Sequence, residues 1–328
     1  MRTRWIQFLA VGAACAALGV GCGGDDEEEP AGGGNAPEQA EAVTLKVGVI
    51  PIADVAPLYL GIKKGFFKEE NLTIEPQLAE GGAAIIPSVM SGDYQIGFSN
   101  VVSLLIASSK KLPVQIISQG VLGGTNQEDA WDAVVLPKGS DVKTATDLEG
   151  KTIAVNTLNN IGPVTINSWL EKNGADYKKV KYIEVPFPEM GAALESNRVD
   201  AAFTVEPAYS GALAGGGTPL FSSYVETAPN LTVATYFASK QYIGENGDIV
   251  ERFKRAIEKS LDYAANNDEE VRGVVGEYTK IPPEVIEKIH LPTWKADLNE
   301  PTIQMLSDLS LKYGFIDEQP SLDELILR

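Results

Sequence analysis

The sequence carries only two cysteines, Cys15 and Cys22, one histidine, His290, and no long apolar run after the first twenty residues. Each scarcity excludes something. Beyond Cys22 the chain can form no internal disulfide and offers no thiolate as nucleophile or metal ligand, which removes several enzyme classes at once. A metal site would need convergent histidines, cysteines or carboxylates at ligand spacing, and no such constellation and no cofactor motif is visible. Basic residues are also few: 27 against 45 acidic ones give a formal charge of −18, so nucleic acid is not an expected partner.

What is present is ordinary apolar content over 328 residues, enough for two compact α/β units. Arg2 and Arg4 precede a small-residue apolar run over residues 5–20, which reads as an export signal (residues 1–21) rather than a membrane span. Leu18, Gly19, Val20, Gly21 and Cys22 resemble a bacterial lipoprotein cleavage box, so Cys22 is expected to carry lipid. Residues 22–42, with five consecutive acids from Asp25 to Glu29 and then three glycines, read as a solvated tether.

From Leu45 onward strands and helices alternate. Residues 45–50 form an apolar, β-branched run of the kind that helices cover on both faces. Leu58, Ile62 and Phe66 then recur at helical spacing, with Pro57 in the first turn, Lys63 and Lys64 near the negative end, Gly65 at a left-handed stop and Asp54 placed to cap the start. Further strands are expected at 72–78, 95–98 and 114–118, followed by a glycine-rich turn at 120–126. Right-handed crossovers would bring the turns at 51–54, 80–83 and 98–100 to one sheet edge. A second series starts at 131–136, with strands at 152–155, 180–185 and 199–203, and is broken by Gly215, Gly216 and Gly217. A strand at 231–238 and a long amphipathic helix at 249–265 follow. The fold class is therefore α/β: lobe one spans 43–125 and 229–328, lobe two spans 126–228, and the crossings lie near 120–131 and 227–234.

At this point several stretches resemble one family. Ala56, Pro57, Leu58 and Tyr59, then Lys64, Gly65, Phe66 and Phe67, resemble the opening of ABC-transporter substrate-binding proteins of the nitrate, sulfonate, taurine and thiamine-precursor type. Ser91, Gly92 and Asp93, the run from Asp147 to Val155, and Arg198 to Ala201 followed by Glu206 and Pro207 also fit. The resemblance implies a two-lobed, type II periplasmic-binding clamp, without cofactor, that closes on a small organic solute and hands it to a permease. It implies a monomer outside the cytoplasm, held to the membrane through Cys22. Where sulfonate and nitrate binders often carry a small hydroxyl-rich turn, this chain has Asn156, Thr157, Leu158, Asn159 and Asn160, which argues against a small inorganic anion. The related yeast-type pyrimidine synthases use a cysteine cluster and a reactive histidine, for which this sequence has no counterpart.

The candidate ligand contacts follow from helix starts and strand ends. Gly81, Gly82, Ser99 and Asn100 would expose amide donors at one sheet edge, with Asp54 at the rim and Gln119 at the end of the fourth strand. Trp131, beside the first crossing, would stack on a planar solute, and Tyr236 on the returning strand is placed alike. Thr157, Asn159 and Asn160 come from the facing loop, and Glu206 would accept from an amine or aminopyrimidine. His290 is read as structural. The rivals to transport are an enzyme on the same clamp, using Asp54 or Glu206 as acid or base, and a sensor that presents its ligated form to a receptor.

Overall fold

The computed structural model describes residues 41–279 and 281–328, so the expected export signal, Cys22 and nearly all of the expected tether lie outside the described residues. Within them, ten strands form two mixed five-stranded sheets. The first contains β1 (Val43–Val49), β2 (Leu72–Leu78), β3 (Ile96–Asn100), β4 (Val114–Leu122) and β10 (Thr232–Ser239). The second contains β5 (Asp132–Leu136), β6 (Thr152–Val155), β7 (Lys181–Glu184), β8 (Ala201–Val205) and β9 (Thr218–Phe221).

In the first sheet the order is β2-β1-β3-β10-β4. β1 pairs in parallel with β2 and β3, so the turns after all three open at the same edge. β10 enters antiparallel between β3 and β4, and all eight of its residues are buried, as a central strand requires. The helix Ala56–Lys64 has proline in its first turn and ends at Gly65, whose φ of 83° is the left-handed geometry that favours glycine. Against it lies the helix Gly247–Ala264, which buries Val250, Phe253, Ile257, Leu261 and Ala264 along one face. Phe253 touches both Phe67 and Tyr236, with ring centroids 5.6 and 5.5 Å apart.

The second sheet repeats the plan with the order β7-β6-β8-β5-β9. β5 is antiparallel to both neighbours, as β10 is in the first. The chain passes between the sheets twice, and the two passages bond to each other: Gly123 N donates to Leu231 O (2.8 Å), and Asn230 N donates to Gly124 O (3.3 Å). The helix Glu300–Lys312 packs on Val101–Ser109 and also on Ile161–Lys172, where Glu171 pairs with Lys312 and accepts from the Tyr313 hydroxyl (2.8 Å).

Three local expectations are corrected. β4 does not stop at Ser118 but runs through Gly120 to Leu122; a Cβ at Gly120 would stand 2.8 Å from the Ala234 carbonyl oxygen, so this glycine serves strand packing rather than a turn. β9 follows directly on the glycines at 215–217; Pro219 and a single buried residue, Phe221, hide this edge strand from a periodicity argument. Asp54 does not cap the first helix. It lies inside a 3₁₀ turn, Ala53–Val55, with no side-chain capping bond at either helix start.

Candidate functional site

The carboxyl-edge turns of the two sheets face each other across a small cavity of ≈ 30 Å³, room for about two waters. The first sheet contributes Ile50, Ile52, Asp54, Phe98 and Asn100, with Val233 and Ala234 from β10. The second contributes Asn156, Asn160, Ile161, Phe187, Phe203, Val205 and Tyr224. Ile52 and Phe187 also form a common wall with two outer grooves of ≈ 290 Å³ and ≈ 440 Å³, so they stand between the cavity and the open cleft.

Each polar wall residue is positioned by its local sequence. The turn carrying Asp54 is pinned by three long-range bonds: Ala53 N donates to Glu206 O (2.9 Å), the Tyr278 hydroxyl to Ile52 O (2.8 Å) and Trp294 Nε1 to Asp54 O (3.2 Å). Asn100 caps the helix Val101–Ser109, its Oδ1 accepting from Ser103 N (2.9 Å), and Ser103 Oγ donates across the cleft to Asn159 O (2.8 Å). On the facing side Asn160 caps Ile161–Lys172 and donates to Asn156 Oδ1 (2.5 Å), and Asn156 Nδ2 reaches back across to Glu80 O (3.3 Å). These cross-cleft bonds describe a closed clamp.

Electrostatically the site is acidic and buried. Asp54 is 3% exposed and its Oδ1 has no hydrogen-bond partner. Burial, with the nearby Asp132 adding to it, pushes its acid up to about 8. Burial also raises Asp132 to about 7, although Ser222 Oγ (2.5 Å), Ser223 N (3.0 Å) and Tyr224 N (3.3 Å) donate to it. Glu206 is likewise raised to about 7 by burial, against the bonds from His290 and Ser210. Among the described residues no lysine or arginine lines the cavity.

Residues 52–271 match the NMT1/THI5 like family. The chain belongs to this family. Among its relatives, it is 24% identical over 241 residues to the formylaminopyrimidine-binding protein of Halalkalibacterium halodurans, covering 73% of this chain and 71% of that protein. It is 26% identical over 234 residues to the taurine-binding periplasmic protein of Escherichia coli, covering 70% and 69%. In solved structures it is similar to the alkanesulfonate-binding protein SsuA from Xanthomonas axonopodis pv. citri bound to MOPS, with a TM-score of 0.75 and 18% identity over 88% of this chain and all of that one. The fold of this NMT1/THI5 like chain is accordingly the α/β periplasmic-binding type II fold.

In this family member the cavity brings together Asp54, Asn100 and Asn160. Gly81 and Thr157 meet at the cleft between the lobes: a Cβ on Gly81 would stand 3.0 Å from both Asn156 Nδ2 and Thr157 Cγ2. Gly82 lies deeper, where a Cβ would fall 2.1 Å from Ser99 Oγ, so it packs the helix Gly82–Ser91 onto β3. Ser99, Gln119 and Tyr236 are buried inside the first sheet and do not line the cavity; Gln119 stands opposite Thr235, and Tyr236 packs on Phe98. The Asn159 side chain is exposed, and only its carbonyl joins the cross-cleft bonding.

Two placements are corrections. Trp131 is wholly buried away from the cavity, because its indole N–H finds an acceptor in Leu122 O (3.0 Å) at the first crossing and Tyr224 covers its ring. The Glu206 carboxylate also lies outside the lining: it accepts from Ser210 N (3.1 Å), Ser210 Oγ (2.7 Å) and His290 N (3.0 Å), tying the second lobe to the C-terminal segment. Sequence reasoning passed over Phe98, Phe187, Phe203 and Tyr224. The available signal for Phe98 and Phe203 was an aromatic near the carboxyl end of a strand.

Proposed function

We propose that this chain captures a small organic solute between its two lobes and hands it to a membrane permease. It is the solute-binding component of an ABC import system. The observation that carries the reading is the shared cavity, whose walls come from both sheets and whose closure is sealed by the bonds from Ser103 to Asn159 and from Asn156 to Glu80. A solute that touches both walls contacts the closed state more than the open one, and that difference drives closure about the paired crossings.

The proposed contacts are Asp54, Asn100 and Asn160, with Gly81 and Thr157 at the cleft and Phe98, Phe187 and Phe203 as apolar walls. The solute classes are sulfonate- or taurine-like and pyrimidine- or thiamine-precursor-like, the two groups that the relatives' names span. The protein works outside the cytoplasmic membrane, with lipidated Cys22 as its anchor. Binding is favoured over catalysis on the same clamp because Glu206 is engaged by the His290 backbone and Ser210, and the His290 ring lies against Tyr209 rather than beside Asp54.

A thermal-shift screen with taurine, alkanesulfonates, aminopyrimidines and aromatic acids tests this. One class should raise Tm by about 5 °C or more at roughly a hundredfold excess over Kd. Stabilisation by no small solute, or turnover of the one that binds, would overturn the proposal.

A further inference from the structure

We infer that Asp54 is the specificity-determining residue of the cleft, selecting a solute that presents a neutral or cationic N–H group and rejecting sulfonate, nitrate and other anionic heads. The inference rests on the solute-binding reading above and adds the charge class to it.

An anion in a buried cavity needs cations or free N–H donors, and each side-chain amide here already spends one of its two N–H groups within the protein. Among the described residues no cationic side chain lines it. Asn100 Nδ2 donates to Ser103 Oγ (2.9 Å), Asn156 Nδ2 to Glu80 O (3.3 Å) and Asn160 Nδ2 to Asn156 Oδ1 (2.5 Å). At the two helix starts, where backbone amides would otherwise attract negative charge, Asn100 Oδ1 accepts from Ser103 N and Asn160 Oδ1 accepts from Ile161 N. The one hydroxyl in the lining, on Tyr224, can donate or accept and so does not discriminate.

Among the described residues that line the cavity, the buried side-chain atom left without a partner is Asp54 Oδ1, while Thr157 Oγ1 at the cleft is also unpartnered. Asp54 Oδ1 is buried and has no partner, and the backbone of the turn that carries it is held by Glu206, Tyr278 and Trp294. Asp132, the other acid nearby, already accepts from Ser222, Ser223 and Tyr224. A buried acceptor without a donor is costly, and a solute N–H satisfies it and favours the ionised acid, whereas an anionic head can accept from Asp54 only while the acid keeps its proton and meets like charge once it ionises. Burial keeps the free acid largely protonated near pH 7, ready to ionise against a cation or to pair as a neutral acid with a nitrogen heterocycle. Phe98 and Phe203 offer apolar surface to a flat carrier of that group, which the facing walls must part to admit because the cavity as it stands holds only about two waters.

Calorimetric titration near pH 7, with 4-aminopyrimidine and benzamidine as N–H probes and ethanesulfonate and nitrate as anion probes, tests the inference on the wild type and on Asp54→Asn. At least one N–H probe should bind the wild type with neither anion competing, and Asp54→Asn should weaken that probe by about tenfold or more. An anion that binds the wild type more tightly than the N–H probes would overturn the selectivity while leaving solute binding intact. So would an unchanged affinity in a variant shown by its melting curve to be folded. If the variant does not fold, the wild-type comparison decides alone. If no probe binds but the thermal-shift screen finds a solute without an N–H group, the inference fails and the transport reading stands. If nothing stabilises the protein, both fail.

Discussion

Raising the pH from about 5 to about 8 should cost the folded chain up to about 9 kcal/mol of stability. In the unfolded chain its carboxyls ionise near pH 4, as exposed acids do. In the folded chain Asp54 holds its proton to about 8, and Asp132 and Glu206 hold theirs to about 7. Between those limits the native state binds protons that the unfolded state has released, so stability is greatest below about pH 4 for these groups and falls as pH rises, by about 1.4 kcal/mol per pH unit for each group while it titrates. The cause is chiefly desolvation; the bonds from Ser222, Ser223, Ser210 and His290 pull in the opposite direction and do not overcome it. Urea unfolding over this range should show the decline, and Asp54→Asn should make it shallower. A stability that rises with pH over the same window would mean that these acids fold in their charged form.

Replacing Trp131 with alanine should destabilise the chain by about 3–5 kcal/mol, as expected for a fully buried tryptophan. The ring is 0% exposed, packs 5.3 Å from the Tyr224 ring and donates its N–H to Leu122 O. The substitution opens a cavity and leaves that carbonyl without its indole donor, at the point where the chain first leaves the first sheet. Solute affinity in the variant that still folds should change little, because the ring does not line the cavity. Equilibrium unfolding of Trp131→Ala and Trp131→Phe, paired with titration of the bound solute, separates the roles. A large loss of affinity with stability nearly unchanged would restore the stacking role that position alone suggested.

Trp131 also shows where the sequence was and was not legible. A strand that runs straight into a helix leaves a strong local record, and β1 with the helix Ala56–Lys64 and its Gly65 stop could be read from periodicity, Pro57 and a single glycine. So could β2 and β6, whose bounds are those expected. Residues whose roles depend on distant partners left no such record. Trp131 beside a crossing looks the same whether its N–H finds Leu122 or a solute, and Glu206 before Pro207 looks the same whether it meets a ligand or the His290 amide from 84 positions away. Asp54 illustrates the converse. Its sequence position suited an ordinary helix cap, but it sits inside a 3₁₀ turn whose backbone is held by three distant bonds, and its carboxyl is buried among the residues lining the cavity.

The central claim, that both sheets grip one solute at their facing edges, is tested most directly by a crystal structure of the protein grown with the solute that gives the largest thermal shift. The expected result is density in contact with Asp54 or Asn100 on one side and with Asn156 or Asn160 on the other, the lobes closed around it. A solute bound to one lobe alone, or outside the wall formed by Ile52 and Phe187, would contradict the account.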